Sequence, residues 1–284
     1  MTVRFDTVAV GDSRVFFREA GPADAPVLLL LHGFPSSSHM FRDLMPLLAD
    51  RFRVIAPDLP GFGRTEVAPG FGFSFDALAD VVEGFTDALG LRRYALYVFD
   101  YGAPTGFRLA VRHPGRVSAI VTQNGNAYLD GFGEGWDDWR RYWQDPTPAN
   151  RERCRAALGT EAIRWQYETG APAGRVGPDG WTLDEHYLTR PGRADAQLDL
   201  ILSYRGNLER YGDFQRYFRD HQPPLLAAWG RNDRIFVPAG AEAFRRDLPD
   251  AEIRFLDTGH FALESHAGEM AALIRDFLDR RVGR

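Results

Sequence analysis

The chain has no lysine: all 34 of its basic residues are arginine. That absence removes a Schiff-base lysine and a phosphate-loop lysine, and with them pyridoxal phosphate and nucleoside triphosphate chemistry. Cys154 is the only cysteine, so an intramolecular disulfide is impossible and a multi-cysteine metal site is excluded. The longest apolar stretch, Val27–Leu31, is far short of the ~20 residues that cross a bilayer. The opening residues, Met1 to Asp6, lack a basic segment followed by an apolar one, which predicts no secretory signal and a cytoplasmic location. With a net charge of -5 and no long basic patch, nucleic acid is an unfavourable partner.

What is present is a globular composition, 284 residues with 44% hydrophobic content, enough for a large core and an inserted subdomain. Apolar runs bounded by turn residues recur at 27–31, 54–56, 96–99, 119–123, 225–229 and 253–256. Helix-like segments at 75–89, 105–112, 239–248 and 268–281 lie between them. That alternation predicts an α/β protein with a mostly parallel sheet covered on both faces. It breaks between about Tyr128 and Asp220, where five of the six tryptophans, Trp136, Trp139, Trp143, Trp165 and Trp181, crowd together. The expected organisation is a core of 1–127 and 221–284 with a helical cap at 128–220. Within the cap, residues 170–180 read as a surface loop.

The most informative residue is Asp100. The buried-strand run 94–99 leads at once into Asp100-Tyr101-Gly102-Ala103-Pro104-Thr105-Gly106, whose small residues permit a sharp turn into a helix. An aspartate there has an ordinary reading as a helix N-cap. It also has the position of a nucleophile elbow, from which a carboxylate would attack carbon directly. In an open parallel sheet the loops leaving the strand ends share one crevice. Those loops bring together His32-Gly33-Phe34-Pro35, Asp100-Tyr101, Gly230-Arg231-Asn232-Asp233 and Asp257-Thr258-Gly259-His260.

The order nucleophile, acid, histidine resembles the α/β-hydrolase fold family over nearly the whole chain. The motifs that carry the resemblance are His32-Gly33-Phe34-Pro35, Asp58-Leu59-Pro60-Gly61-Phe62-Gly63, the Asp100 turn, Trp229-Gly230-Arg231-Asn232-Asp233 and Gly259-His260-Phe261. It implies Asp100 as nucleophile, His260 as base and Asp233 as the acid that orients it. The alternative acid position, after the strand before the insertion, reads Asn124-Gly125-Asn126 and holds no carboxylate. The amides of Phe34 and Tyr101 are the expected oxyanion donors. One departure is Val98, two positions before the nucleophile, where members carry a small residue. Gly102, Ala103 and Gly106 on the far side favour a slightly relaxed turn.

Within the family an aspartate at this turn marks two reactions, epoxide opening and carbon–halogen cleavage. An epoxide oxygen stays on the product and needs a proton, which a phenol supplies. The segments Arg140-Arg141-Tyr142-Trp143-Gln144-Asp145-Pro146 and Ser203-Tyr204-Arg205-Gly206-Asn207 resemble those that supply the two ring-opening tyrosines of epoxide hydrolases, which nominates Tyr142 and Tyr204. Haloalkane dehalogenases follow the nucleophile with Trp, where this chain has Tyr101. Fluoroacetate-type enzymes clamp a carboxylate with arginines beside the nucleophile, where this chain has Tyr101 and Pro104. The expectation is an epoxide hydrolase without cofactor or metal. Trp139, Trp143, Phe34 and Tyr101 would line its substrate site. Its partners would be a small apolar organic substrate and water, with no membrane and with a homodimer left open. A dehalogenase with the same triad, or a binding protein that keeps the fold, are the alternatives.

Overall fold

Eight strands form one sheet in a computed structural model that describes residues 2–282. They are β1 (Arg4–Val10), β2 (Ser13–Ala20), β3 (Val27–Leu31), β4 (Arg53–Pro57), β5 (Tyr94–Phe99), β6 (Val117–Gln123), β7 (Leu225–Gly230) and β8 (Glu252–Leu256). Their spatial order is β1-β2-β4-β3-β5-β6-β7-β8. Only β2 pairs antiparallel, with β1 and β4; every other pairing is parallel. β5, β6 and β7 are buried along their whole length. Strands covered on both faces lose the in-out alternation and read as continuous apolar runs. The six expected strands are therefore all present, and the fold is that of an α/β hydrolase.

The helices are α1 (Leu44–Leu48), α2 (Phe75–Ala88), α3 (Gly102–Arg112), α4 (Asp137–Gln144), α5 (Pro148–Cys154), α6 (Thr160–Glu168), α7 (Asp179–Leu188), α8 (Arg193–Ser203), α9 (Arg205–His221), α10 (Pro238–Ala243) and α11 (Ala262–Arg281). Two separate apolar clusters cover the sheet. One is built with α2, α3 and α9, the other with α1 and α11. Helices α4 to α9 form an insertion between β6 and β7.

Two findings refine the sequence reading. The hairpin β1–β2, which extends the sheet antiparallel, was not among the expected strands. The last helix starts at Ala262 rather than 268, with a non-helical break at His266 (φ -129°, ψ 27°). The break separates a short turn directly behind His260 from the long C-terminal helix.

Candidate active site

The turn after β5 places Asp100 at φ 47°, a conformation uncommon outside glycine. Two glycines make room for it. A Cβ on Gly33 would overlap Asp100, and one on Gly102 would overlap the Leu31 carbonyl. The bulky Val98 is accommodated in the same way, because a Cβ on Gly106 would lie 2.6 Å from Val98 Cγ1. A glycine in the following helix thus supplies the space that members of the family gain from a small residue before the nucleophile.

The Asp100 side chain does not cap the helix in the manner of a solvated N-cap. It is 6% exposed. The Phe34 amide donates to Oδ1 at 2.6 Å, and the Tyr101 amide faces the same carboxylate. Oδ1 therefore already sits on one of the two expected oxyanion donors, and Oδ2 is the oxygen that faces His260. Burial pushes the carboxyl pKa up to about 6, against the opposing charge of His260 and the two amides.

The loops after β7 and β8 bring Asp233 and His260 to the same end of the sheet. His260 Nδ1 lies 2.7 Å from Asp233 Oδ2, which fixes Nε2 as the free nitrogen of the neutral ring. Nε2 stands 3.9 Å from Asp100 Oδ2 and finds no protein partner among the described residues. Asp233 is itself held by the amides of Ile235 at 2.7 Å and Phe236 at 3.2 Å. Burial favours the uncharged imidazole. The charge and hydrogen bond of Asp233, with the charge of Asp100, outweigh it and leave the pKa raised.

Asn124, at φ 47°, joins this group. Its Nδ2 donates to Asp233 Oδ2 at 2.5 Å while its Oδ1 accepts from the Gly230 amide at 3.0 Å. The position after β6 that lacks a carboxylate therefore supports Asp233 instead. Behind the ring, Gln123 Nε2 donates to the His260 carbonyl at 3.0 Å, and Tyr97 donates to Gln123.

A cavity of about 220 Å³ opens onto Asp100 and is lined by Phe34, Trp136, Trp139, Trp165, Gln166 and Ile235, with Glu134 at its edge. Its wall is mostly aromatic and aliphatic, with Glu134 and Gln166 as its polar members beside Asp100, and carries no cationic side chain. Such a surface suits an apolar, uncharged molecule.

The insertion distributes the other expected residues unevenly. Trp139 lines the cavity, but Trp143 does not. Its indole nitrogen donates to the Ile201 carbonyl at 2.6 Å, and its ring lies flat on Tyr204. Tyr142 does not line the cavity and packs with Cys154, Leu198 and Ile201, its hydroxyl accepting from Arg151 at 3.3 Å. The sequence nomination of Tyr142 as a proton donor and of Trp143 as a substrate contact is thus not met in this geometry, because α8 draws both side chains into the interior of the insertion. Tyr101 is buried beside Phe75 and Tyr204, and its hydroxyl is unpaired among the described residues.

Tyr204 stands directly behind the cavity wall, its ring in contact with those of Trp136, Trp139 and Tyr101. Its phenol neighbours that of Tyr211, whose hydroxyl accepts from Asn126 at 3.4 Å. Burial, with the charge of Asp100 among the lesser causes, holds the phenol well above its usual pKa. Position is fixed from below: Asn207 accepts from the buried Arg108 of α3 at 2.7 Å, pinning the start of α9 to the core. Tyr211 and Trp136 are the residues that reading the sequence missed. Trp136 and Trp139 are three apart, the spacing that places two side chains on one helical face.

These features define a member of a large hydrolase class. Residues 26–267 match the family model described as alpha/beta hydrolase fold, and the chain belongs to that family. It is 46% identical over 274 residues, 94% of each chain, to an uncharacterized hydrolase of Saccharomyces cerevisiae. A shorter stretch of 99 residues, 35% of each chain, is 43% identical to haloalkane dehalogenase 2 of Mycobacterium tuberculosis. Among solved structures, a putative ancestral haloalkane dehalogenase superposes with a TM-score of 0.83 at 23% identity, covering 98% of this chain and 100% of its own.

Proposed function

We propose that this hydrolase opens an epoxide to a vicinal diol through an ester on Asp100. Asp100 Oδ2 attacks a ring carbon, the carbon–oxygen bond breaks, and the departing oxygen takes the proton of Tyr204. Tyr211, beside Tyr204, donates to the phenolate that results and stabilises it. Water then attacks the carbonyl carbon of the ester while His260 Nε2 takes its proton, and the oxyanion on Oδ1 rests on the amides of Phe34 and Tyr101. The tetrahedral intermediate collapses with cleavage of the ester bond. His260 returns the proton to the leaving diol oxygen, and the carboxylic acid formed on Asp100 gives its proton through solvent to the Tyr204 phenolate, which restores both groups. The helical insertion acts in this reading as a cap over the reacting carbon.

The observation that carries the reading is Tyr204: a buried phenol, held protonated by burial, directly behind the aromatic wall of the Asp100 site and beside a second phenol, Tyr211. A halide leaving group has no use for that proton. One observation favours a dehalogenase instead. Trp139 lines the cavity and, unlike Trp136, Trp143 and Trp229, makes no indole bond to a backbone carbonyl among the described residues.

Epibromohydrin, which carries an epoxide and a bromide, separates the two. Bromodiol should appear before bromide, and Asp100→Ala should abolish it. Tyr204→Phe should cost about 10²- to 10³-fold in diol formation, whereas Tyr142→Phe should stay within about threefold. Bromide released first with the ring intact would overturn the epoxide reading and promote the dehalogenase.

A further inference from the structure

Away from Asp100, four arginines meet at the seam between the core and the insertion. Arg18 comes from β2, Arg64 from the loop after β4, Arg190 from the α7–α8 connection and Arg193 from the first residue of α8. Most arginines of this acidic protein have carboxylate partners, such as Arg42 with Glu264 and Arg112 with Glu83. Among the described residues these four have none within 4.0 Å. Instead Arg18 Nε donates to Ser38 Oγ at 3.0 Å, Arg190 to the Gly63 carbonyl at 3.1 Å and Arg193 to the Thr65 carbonyl at 2.8 Å.

Two carboxylates lie close by. Asp58 is buried and already accepts from the amides of Ser38 at 2.8 Å and Arg64 at 2.7 Å. Glu66 is exposed and borders the seam. Four guanidiniums therefore face two carboxylates. Arg18 and Arg193 are half-buried, and burial is the leading cause that draws both below the usual guanidinium range. Partly desolvated cations without counter-charge are unfavourable until an anion joins them.

Arg64 and Arg190 border a concavity of about 220 Å³ that His186, Tyr187 and Glu66 complete. Both are exposed, and the Arg64 guanidinium rests over the Phe16 ring at 5.8 Å rather than in an ion pair. A guanidinium presents parallel N–H donors that match two oxygens of one oxyanion.

We propose that this seam is a binding site for a tetrahedral oxyanion, inorganic phosphate or the phosphate of a monoester. Arg64 holds it from the core and Arg190 from the insertion, with Tyr187 and His186 at its rim. Because the ligand bridges the two parts, its binding stabilises their junction.

The test is thermal unfolding of the full chain in rising inorganic phosphate or glycerol 3-phosphate, with sodium chloride holding ionic strength constant. A saturable rise in Tm of about 3 to 5 °C at tenfold excess over Kd is expected. Arg64→Gln, which removes no intramolecular hydrogen bond, should weaken binding at least tenfold in calorimetric titration, and Arg190→Gln should do the same. Arg112→Gln, on another face, should bind as the parent does. A stronger effect of the monoester assigns the site to a phosphorylated metabolite, and equal effects assign it to phosphate itself. No saturable shift with either ligand, or an unchanged shift in both seam variants, would overturn the site.

Discussion

Tyr167 lies flat on Phe261, with ring centroids 3.8 Å apart and planes 11° from parallel. Tyr167 belongs to α6 of the insertion, and Phe261 directly follows His260. The end of the same helix closes on the loop from its other side, where a Cβ on Gly259 would overlap the Thr169 carbonyl. The insertion thus presses on the histidine loop as well as roofing the cavity. In the proposed mechanism His260 acts only on the ester. Tyr167→Leu should therefore slow ester hydrolysis about tenfold through a misplaced imidazole, and leave ester formation within about twofold. Rapid quenching with intact-mass detection of the Asp100 adduct measures both steps. Equal slowing of the two would refute a specific effect on His260.

The parts of this arrangement that sequence reveals are those set by local rules. β3, β5 and β7 carry unbroken apolar runs because both faces are covered, β6 keeps a shorter one at 119–121, and the turn at Asp100 is announced by the small residues that its φ of 47° and its neighbours require. The hairpin of β1 and β2 is harder to see. β1 is an edge strand exposed along most of its length, so burial imposes little pattern on it. The insertion is harder still. Helix α4 carries aromatic residues on more than one face, and only the packing of α8 decides that Trp139 meets the cavity while Tyr142 and Trp143 turn inward. Tyr211 gives no local signal at all. Its significance comes from lying beside the Tyr204 phenol, seven residues earlier.

Asp184 on α7 predicts how stability depends on pH. Burial pushes its carboxyl pKa up to about 8; a bond from Tyr167 and the charge of Arg42 oppose the shift, while Glu264 and Asp58 add to it. The folded state keeps a proton that the unfolded chain releases near pH 4. Stability from this group is therefore lost as pH rises between about 4 and 8, and is level above. The slope is up to about 1.4 kcal/mol per pH unit. Asp184→Asn, which keeps an acceptor for Tyr167 and cannot ionise, should remove that component. Thermal melts at pH 5, 6, 7 and 8 should show Tm of the variant falling less steeply by about 2 to 4 °C per unit. Parallel slopes in the two proteins would count against a neutral Asp184.

The two ionisations that face each other across 3.9 Å, Asp100 and His260, should leave separate marks on the rate. Attack requires the Asp100 carboxylate, whose pKa burial raises to about 6. For a substrate whose ester forms irreversibly, kcat/KM should fall about tenfold per unit below pH 6. Hydrolysis requires the neutral form of His260, whose pKa in the resting protein is raised partly by the charge of Asp100. Esterification removes that charge, so the imidazole becomes easier to deprotonate at the step that needs it as a base. The acid limb of ester hydrolysis should accordingly lie at lower pH than the His260 titration in the resting protein, by about one unit. Nitrogen NMR of the histidine ring gives the second value, and single-turnover decay of the Asp100 adduct gives the first. His260→Gln should trap the adduct at every pH. Coincident midpoints would mean that Asp100 does not tune the base, leaving Asp233 alone to set it.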